Sequence, residues 1–287
     1  MAEKIIIDTD PAIGVPLRDV DDGLALGLAL KSPELEVLGI TVTYGNTSLD
    51  RALRSARRVL AAAGREDVPI LTGAPSAASL GKETEASRFL VETLAGDPGG
   101  VSLLTLGPLT NAATAEMLAP GTLRKAKRTV AMGGAVFGRG IMPPFFRAEF
   151  NFWKDPRASS VFVRSAGTLT IVPCELTMRV SFRWKYMKLL RDSGARLARF
   201  IYENSLSWYA ASSAGLLRDG FPPHDPLAAG WMLRPDLFKT RETGLTVAEN
   251  GISRGRTRSS LSGSPVSVAD HVRENEFLDF LTERLCS

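Results

Sequence analysis

The stretch KIIIDTDPAIGVPLRDVDDGLALGLAL, residues 4–30, decides the fold class. Ile5–Ile7 is a short continuous apolar run, the pattern of a strand buried on both faces. It gives way to a polar loop, and Gly23–Leu30 then reads as a buried helix. The same alternation repeats downstream. Leu35–Val42 alternates and is β-branched, hence a strand. Leu49–Ala63 carries Leu53, Ala56, Val59, Leu60 and Ala63 at helical spacing. Val68–Leu71, Val101–Leu106, Arg128–Met132 and Leu169–Val172 read as further strands. Between them Ser87–Leu94, Thr110–Met117 and Asp155–Arg164 read as helices, with Thr110 or Asn111 placed to cap the second. Strand and helix in turn predict an α/β fold, an open and mostly parallel sheet flanked by helices on both faces. Such sheets bind ligands at the carboxyl ends of their strands, so the loops after strands are where function is sought.

The second half is less regular. Trp184–Leu190, Arg196–Ala211 and Leu227–Leu233 read as helices, Leu245–Val247 and Val266–Val268 as late strands, and Phe277–Leu285 as a closing helix. The Gly/Ser/Arg stretch Gly251–Gly263 reads as a polar hairpin or loop. With no repeat and no low-complexity linker, residues 1–287 read as a single domain.

Composition narrows the function classes. At 44% hydrophobic and 23% charged residues, the chain is neither disordered nor fibrous. Lys and Arg number 35 against 31 Asp and Glu, and the arginines are scattered, which argues against a dedicated nucleic-acid surface. Cys174 and Cys286 are too few for a disulfide framework or an all-cysteine metal site. Cys174 reads as a buried small hydrophobe and Cys286 as exposed. The opening MAEKIIID leaves no room for a signal peptide, and no apolar run reaches the length of a membrane span. A cytoplasmic location is the expectation.

Of the acidic residues, Asp8, Asp10, Asp19, Asp21 and Asp22 follow directly on the first strand. Alternation places Asp8 and Asp10 on one side of the strand end. Asp21 and Asp22 fall at the start of the next helix, where negative charge is stabilised. Carboxylates converging there repel unless a cation lies between them, and an all-oxygen ligand set suits calcium or magnesium. The plainer reading is a group of helix caps and surface charges. Three other segments are weak signals by themselves. His224-Asp225-Pro226 reads alone as a capping aspartate with proline at the first helical position. Leu104–Asn111, LTLGPLTN, is a strand end followed by a Gly-Pro turn and a helix start, and contains the segment LGPLTN (Leu106–Asn111). Ala148–Asn151, AEFN, offers a carboxylate and an amide two residues apart, suited to sugar hydroxyls. His271 reads as surface.

Taken in order, DTDP (Asp8–Pro11), the pair Asp21-Asp22, YGN (Tyr44–Asn46), LGPLTN, MGG (Met132–Gly134), AEFN, Asp155-Pro156 and His224-Asp225-Pro226 resemble the inosine-uridine-preferring nucleoside hydrolase family. The resemblance runs along nearly the whole chain. It implies an open α/β core, a homodimer or homotetramer, one bound Ca2+, and cleavage of the N-glycosidic bond of a small-molecule ribonucleoside by water, with no nucleic acid or membrane as partner. Carried over by residue, it implies Asp10 as general base and calcium neighbour. Asp22, Asp225 and the main-chain carbonyl of Leu106 would be further ligands. It implies Asp21 and Asn151 on the ribose hydroxyls and Glu149 at the 5′-hydroxyl. Asn46 would lie beside the sugar or orient the aspartates, and His224 would face the leaving base. Such cleavage builds an oxocarbenium-like cation, which a carboxylate-lined pocket stabilises.

Three departures from the family pattern stand out. Ala12 replaces a glycine, and Ile13–Val20 separates that position from Asp21-Asp22, so Asp19 competes with Asp21 for the ribose role. Pro16 and Arg18 of this longer loop would narrow the pocket or meet a substrate anion. Residues 75–84 lack a histidine-glycine segment. Residues 140–147, GIMPPFFR, lack an asparagine, and Ile141, Met142, Phe145 and Phe146 would line a hydrophobic wall or a subunit contact. Trp208, Tyr209 and Arg218 are candidates to cover the base. Two competing readings remain at this point. Asp8-Thr9-Asp10 also fits the nucleophile motif of a magnesium-dependent haloacid-dehalogenase-type phosphatase, though AEFN and His-Asp-Pro would then go unexplained. The altered loops also suit a non-catalytic nucleoside- or pentose-binding relative.

Overall fold

The first strand sits in the middle of the sheet, and its neighbours fix where a ligand can bind. The computed structural model describes residues 2–142 and 148–287. Phe145 and Phe146, expected in a hydrophobic wall, fall outside them. The strands are β1 (Glu3–Thr9), β2 (Leu35–Val42), β3 (Ile70–Thr72), β4 (Val101–Thr105), β5 (Thr129–Met132), β6 (Leu169–Val172), β7 (Phe238–Val247), β8 (Thr257–Ser259) and β9 (Ser264–Val272). They form one sheet in the order β3-β2-β1-β4-β5-β6-β9-β7-β8. All pairings through β6–β9 are parallel, and β7 pairs antiparallel with both β8 and β9. The expected open, mostly parallel sheet is present. The chain runs outward from β1 in one direction through β2 and β3, then returns to β4 on its other side. That reversal leaves a crevice between the carboxyl ends of β1 and β4, the place where doubly wound sheets hold ligands.

Two apolar clusters cover the two faces. Ile5 and Ile7 join one cluster and Ile6 the other; Leu104 and Leu103, Val130 and Ala131, Val172 and Ile171 divide in the same way. Strand alternation sends neighbouring side chains to opposite faces, so a continuous apolar run is what a doubly covered strand requires. Ile5, Ile6 and Ile7 are completely buried, each contributing about 1.5–3 kcal/mol of burial. On the first face lie α1 (Asp21–Leu30), α2 (Leu49–Ala63), α8 (Trp184–Asp192), α9 (Arg196–Leu216), α10 (His224–Leu233) and α11 (Glu274–Leu285). On the second lie α3 (Glu85–Gly96), α4 (Thr110–Leu118) and α6 (Pro156–Ser165), the last reached through the short α5 (Phe150–Lys154). A one-turn helix, α7 (Cys174–Thr177), follows β6.

α1 is apolar all round and buried along its whole length, packed between the sheet, α10 and α2. Its contact with α10 brings Asp21 and Asp22 up to the start of a helix some two hundred residues later. Several expectations need correction. α4 has no side-chain cap. Thr110 donates instead to Asp155, and Asn111 reaches back to β1. Asp225 is not a cap either, because α10 begins at His224 with Pro223 before it. Cys286 is half-buried, its thiol against the Leu189 carbonyl. Cys174 is buried and His271 exposed, as expected.

Candidate active site

The crevice beyond β1 and β4 holds an unusual concentration of buried carboxylates. Asp10, Asp21, Asp22 and Asp225 are each at most 3% exposed. Among the described residues no Lys or Arg forms an ion pair with any of them. Carboxylate oxygens of Asp21, Asp22 and Asp225 all lie within 4.8 Å of one another. Asp21 is held by two backbone amides, accepting from Asp22 N at 3.1 Å and Asp225 N at 2.9 Å. Asp22 accepts from the Thr9 hydroxyl at 2.5 Å, from Asp10 N at 3.2 Å and from Asn46 Nδ2 at 3.0 Å. Asp10 accepts from Asn46 N at 2.5 Å through Oδ2, while its Oδ1 is buried without a partner.

Glycines shape the room around Asp10. A Cβ on Gly45 would sit 1.9 Å from Asp10 Oδ2, and one on Gly107 would sit 2.7 Å from Oδ1. YGN and LGPLTN therefore carry glycine where two backbones close on one carboxylate. Asn46 bridges Asp10 and Asp22, its backbone N donating to the first and its Nδ2 to the second.

Burial and mutual repulsion both work against ionisation here. Burial, then the neighbouring Asp22, pushes Asp10 well above the usual carboxylate range. Burial and Asp19 do the same to Asp21, and burial and Asp21 to Asp225. Asp22 is pushed up to about 7 by burial and by Asp21. A set of buried all-oxygen donors with one orphaned oxygen and no cationic side chain fits a hard divalent ion.

Asp8 is a different case. It does not join this group, although it leaves the same strand two residues earlier. Its Oδ1 accepts from Thr41 at 2.6 Å and Asn111 at 2.8 Å, and burial pushes its carboxyl up to about 7. Asp8, the nucleophile that the phosphatase reading requires, is fully buried and does not line the pocket above the aspartates; both of its bonds fall on Oδ1, and Oδ2 has no partner among the described residues.

The sequence model of the family described as Inosine-uridine preferring nucleoside hydrolase matches residues 5–279. The chain belongs to that family. Uridine nucleosidase 1 of Arabidopsis thaliana is 30% identical, the match covering 99% of this chain and 93% of its own length. A solved plant nucleoside hydrolase, PpNRh1, matches with a TM-score of 0.91 at 28% identity over 100% of both chains. A purine-preferring ribonucleoside hydrolase from Gardnerella vaginalis matches with a TM-score of 0.89 at 25% identity, over 99% of this chain and 98% of its own.

This nucleoside hydrolase has a pocket of about 230 Å³ above the aspartates. Asp21, Asp225, Asn46, Leu106, Glu149, Asn151 and His224 all line it; Asp10 and Asp22 do not, and lie beneath, tied to the wall through Asn46. The Leu106 carbonyl already accepts from Asn151 Nδ2 at 2.8 Å, which leaves one lone pair for an ion. The Asn151 amide nitrogen thus faces Leu106 and Met132 carbonyls rather than open space.

Glu149 departs furthest from expectation. AEFN is not extended: Glu149 caps α5, accepting from Asn151 N at 2.8 Å and Phe152 N at 3.1 Å, with Gly134 N at 3.0 Å as a third donor. Burial pushes its carboxyl to about 7 against these bonds.

The longer first loop forms part of the rim. Leu17, Arg18 and Asp19 line the pocket together with Ile141, Phe150 and Trp208. Gly14, at φ +82°, makes the turn, and a Cβ there would lie 2.2 Å from the Arg58 guanidinium, which also donates to Asn204 on α9. Asp19 accepts from Val20 N and Asp21 N, so it acts as a local brace, while Asp21 stands with Asp22 and Asp225. Of the expected base contacts, Trp208 reaches the pocket. Tyr209 instead packs on Trp184 and donates to Asp219, and Arg218 donates to the Met178 and Val180 carbonyls. His224 is held neutral by burial and by the nearby Arg218, its ring lowered to about 4. Sequence reading missed Thr9, Thr177 and Asn111 as supports, since a hydroxyl or amide carries no motif until its partner is placed.

Proposed function

We propose that this nucleoside hydrolase is calcium-dependent, with Asp10, Asp22, Asp225 and the Leu106 carbonyl as the ion's ligands. The buried four-carboxylate group at the β1–β4 crevice, without a cationic partner, carries this reading. Calcium bound there would supply a Lewis acid that polarises sugar and water oxygens. The chain's own residues divide the remaining work. Asp10, held by Asn46 and hemmed in by two glycine backbones, accepts the proton of the attacking water at its free Oδ1. Asp21 and Asn151 bind ribose hydroxyls and Glu149 faces the 5′ end, which fixes the anomeric carbon over the carboxylates. The concentrated negative charge favours the cationic sugar that forms as the C–N bond breaks. His224 stands where the departing base would leave.

Uridine- and pyrimidine-directed relatives are 29–30% identical to the chain and a purine-preferring one 25%, and base choice is assigned to the pocket rim of Leu17, Arg18, Trp208 and His224. A homodimer or homotetramer belongs to the same proposal, checked by sedimentation. No helix among the described residues is long and apolar enough to cross a membrane.

The test is a panel of nucleosides, including modified ones, incubated with chelator-treated protein and then with added calcium. Base release restored by calcium supports the reading. Full activity after exhaustive chelation, with no metal found in the protein, overturns the calcium assignment.

A further inference from the structure

His224 opens α10, yet what holds its ring comes from another part of the chain. Thr177, the last residue of α7, places its hydroxyl oxygen 2.5 Å from His224 Nδ1. The same oxygen lies 3.3 Å from the Cys174 carbonyl. Thr177 is completely buried, so no water competes for the hydroxyl. A hydroxyl has one proton to give. The Cys174 carbonyl already accepts from Met178 N at 2.9 Å, so the hydroxyl proton is assigned to the shorter contact with Nδ1. With Nδ1 as the acceptor, the ring hydrogen sits on Nε2; the reverse assignment, Nδ1–H donating to a hydroxyl that donates to Cys174, would leave Nε2 a bare acceptor facing the pocket. Nε2 has no partner among the described residues and is not sealed off, in a ring that lines the pocket.

The segment after β6 is built to hold this hydroxyl still. Arg218 donates to the Met178 carbonyl at 2.6 Å and the Val180 carbonyl at 3.3 Å, pinning the chain next to Thr177. Phe182 N donates to the Phe221 carbonyl at 2.8 Å, joining the same segment to the chain that leads into α10. Hydroxyl and imidazole are therefore fixed to one another from both sides.

We propose that Thr177 is a positioning residue: its hydroxyl, donating to Nδ1, sets the His224 tautomer so that Nε2–H points at the leaving base as a hydrogen-bond donor. The inference rests on the ribonucleoside-hydrolase reading of the pocket. The hydrogen bond to the base strengthens as the C–N bond breaks and negative charge gathers on the base. No bond to Thr177 forms or breaks.

The chain has only two histidines, so nitrogen-15 labelling of histidine in the full-length protein gives two ring systems. Exposed His271 serves as internal reference. Long-range proton–nitrogen correlation is expected to show His224 as the Nε2–H tautomer in the wild type. Thr177→Val is expected to lose that pattern, and Thr177→Ser to keep it. For catalysis, kcat on an ordinary nucleoside is expected to fall about tenfold in Thr177→Val. Cleavage of p-nitrophenyl riboside, whose leaving group needs no donor, is expected to stay within about twofold. Thr177→Ser restores the nucleoside rate. An Nδ1–H tautomer in the wild type overturns the proposal, as does an equal loss on both substrates or no loss on either. If the wild type cleaves no nucleoside, the function reading fails, while the spectrum still decides whether Thr177 sets the tautomer.

Discussion

The floor and the far wall of the pocket each bury carboxylates, and they satisfy them in opposite ways. Glu149, on the wall, is 2% exposed and takes three backbone amides, two of them from the start of α5. Its charge is met by the protein itself. On the floor, Asp10, Asp21, Asp22 and Asp225 are equally buried, yet they share their donors unevenly, and one Asp10 oxygen has none. A helix start aims several amides at one acceptor; the floor packs two strand ends and two helix starts together and has fewer amides than oxygens. The wall is complete as folded, whereas the floor could hold a cation.

The largest expected effect tests the floor's chemistry. Asp10→Ala should fold, by circular dichroism and melting temperature, and lose at least about two orders of magnitude in turnover. A wild-type rate on a genuine substrate would remove Asp10 from the base role. Next is the cation itself. Calcium at about a hundred times its dissociation constant should raise the melting temperature of chelated protein by about 4–5 °C at neutral pH. Asp22→Asn should weaken that response, and an identical shift in both proteins would place the ion elsewhere.

The pH dependence of the chelated protein follows from the same comparison. Asp22 keeps its proton to about pH 7 in the folded state, while an unfolded aspartate releases it near pH 4. Between those values the folded state binds more protons, so stability falls as pH rises. Melting temperature without calcium should therefore drop by a few degrees from pH 5 to pH 8. Saturating calcium should remove or reverse the slope, because the ion replaces the protons. A rising chelated curve would contradict the buried cluster. The smallest effect belongs to the wall. Glu149→Gln removes one acceptor from the α5 cap and should cost about 1–2 kcal/mol, or roughly 2–3 °C. It should leave the calcium titration midpoint where it was; a shifted midpoint would mean that wall and floor are one electrostatic unit.

Much of this was legible in advance. Leu35–Val42, Leu49–Ala63 and Leu169–Val172 match their sequence-based bounds, since their apolar spacing is set by the faces they cover. The AEFN and His-Asp-Pro segments misled, for a shared reason. Asp225 and Glu149 look alike as acids near a helix start, but Glu149 is the cap and Asp225 is the second residue of its helix. Capping depends on the backbone dihedrals of one residue, which neither composition nor spacing specifies. Asp8 and Asp10 share a strand face by alternation, yet Thr41 and Asn111 claim one, and Asn46 and two glycine backbones the other.

The sequence by itself determined the sheet, the family and the presence of five acids after the first strand. Apolar periodicity and ordered motifs are local, and they survive in one dimension. Tertiary structure decided which acids converge, which are neutralised by backbone, and which hydroxyl holds His224. Those outcomes depend on α1 meeting α10 and on α7 meeting the head of α10, contacts between segments from 47 to about two hundred residues apart. Whether a buried charge finds a partner is settled only where such segments close on one another.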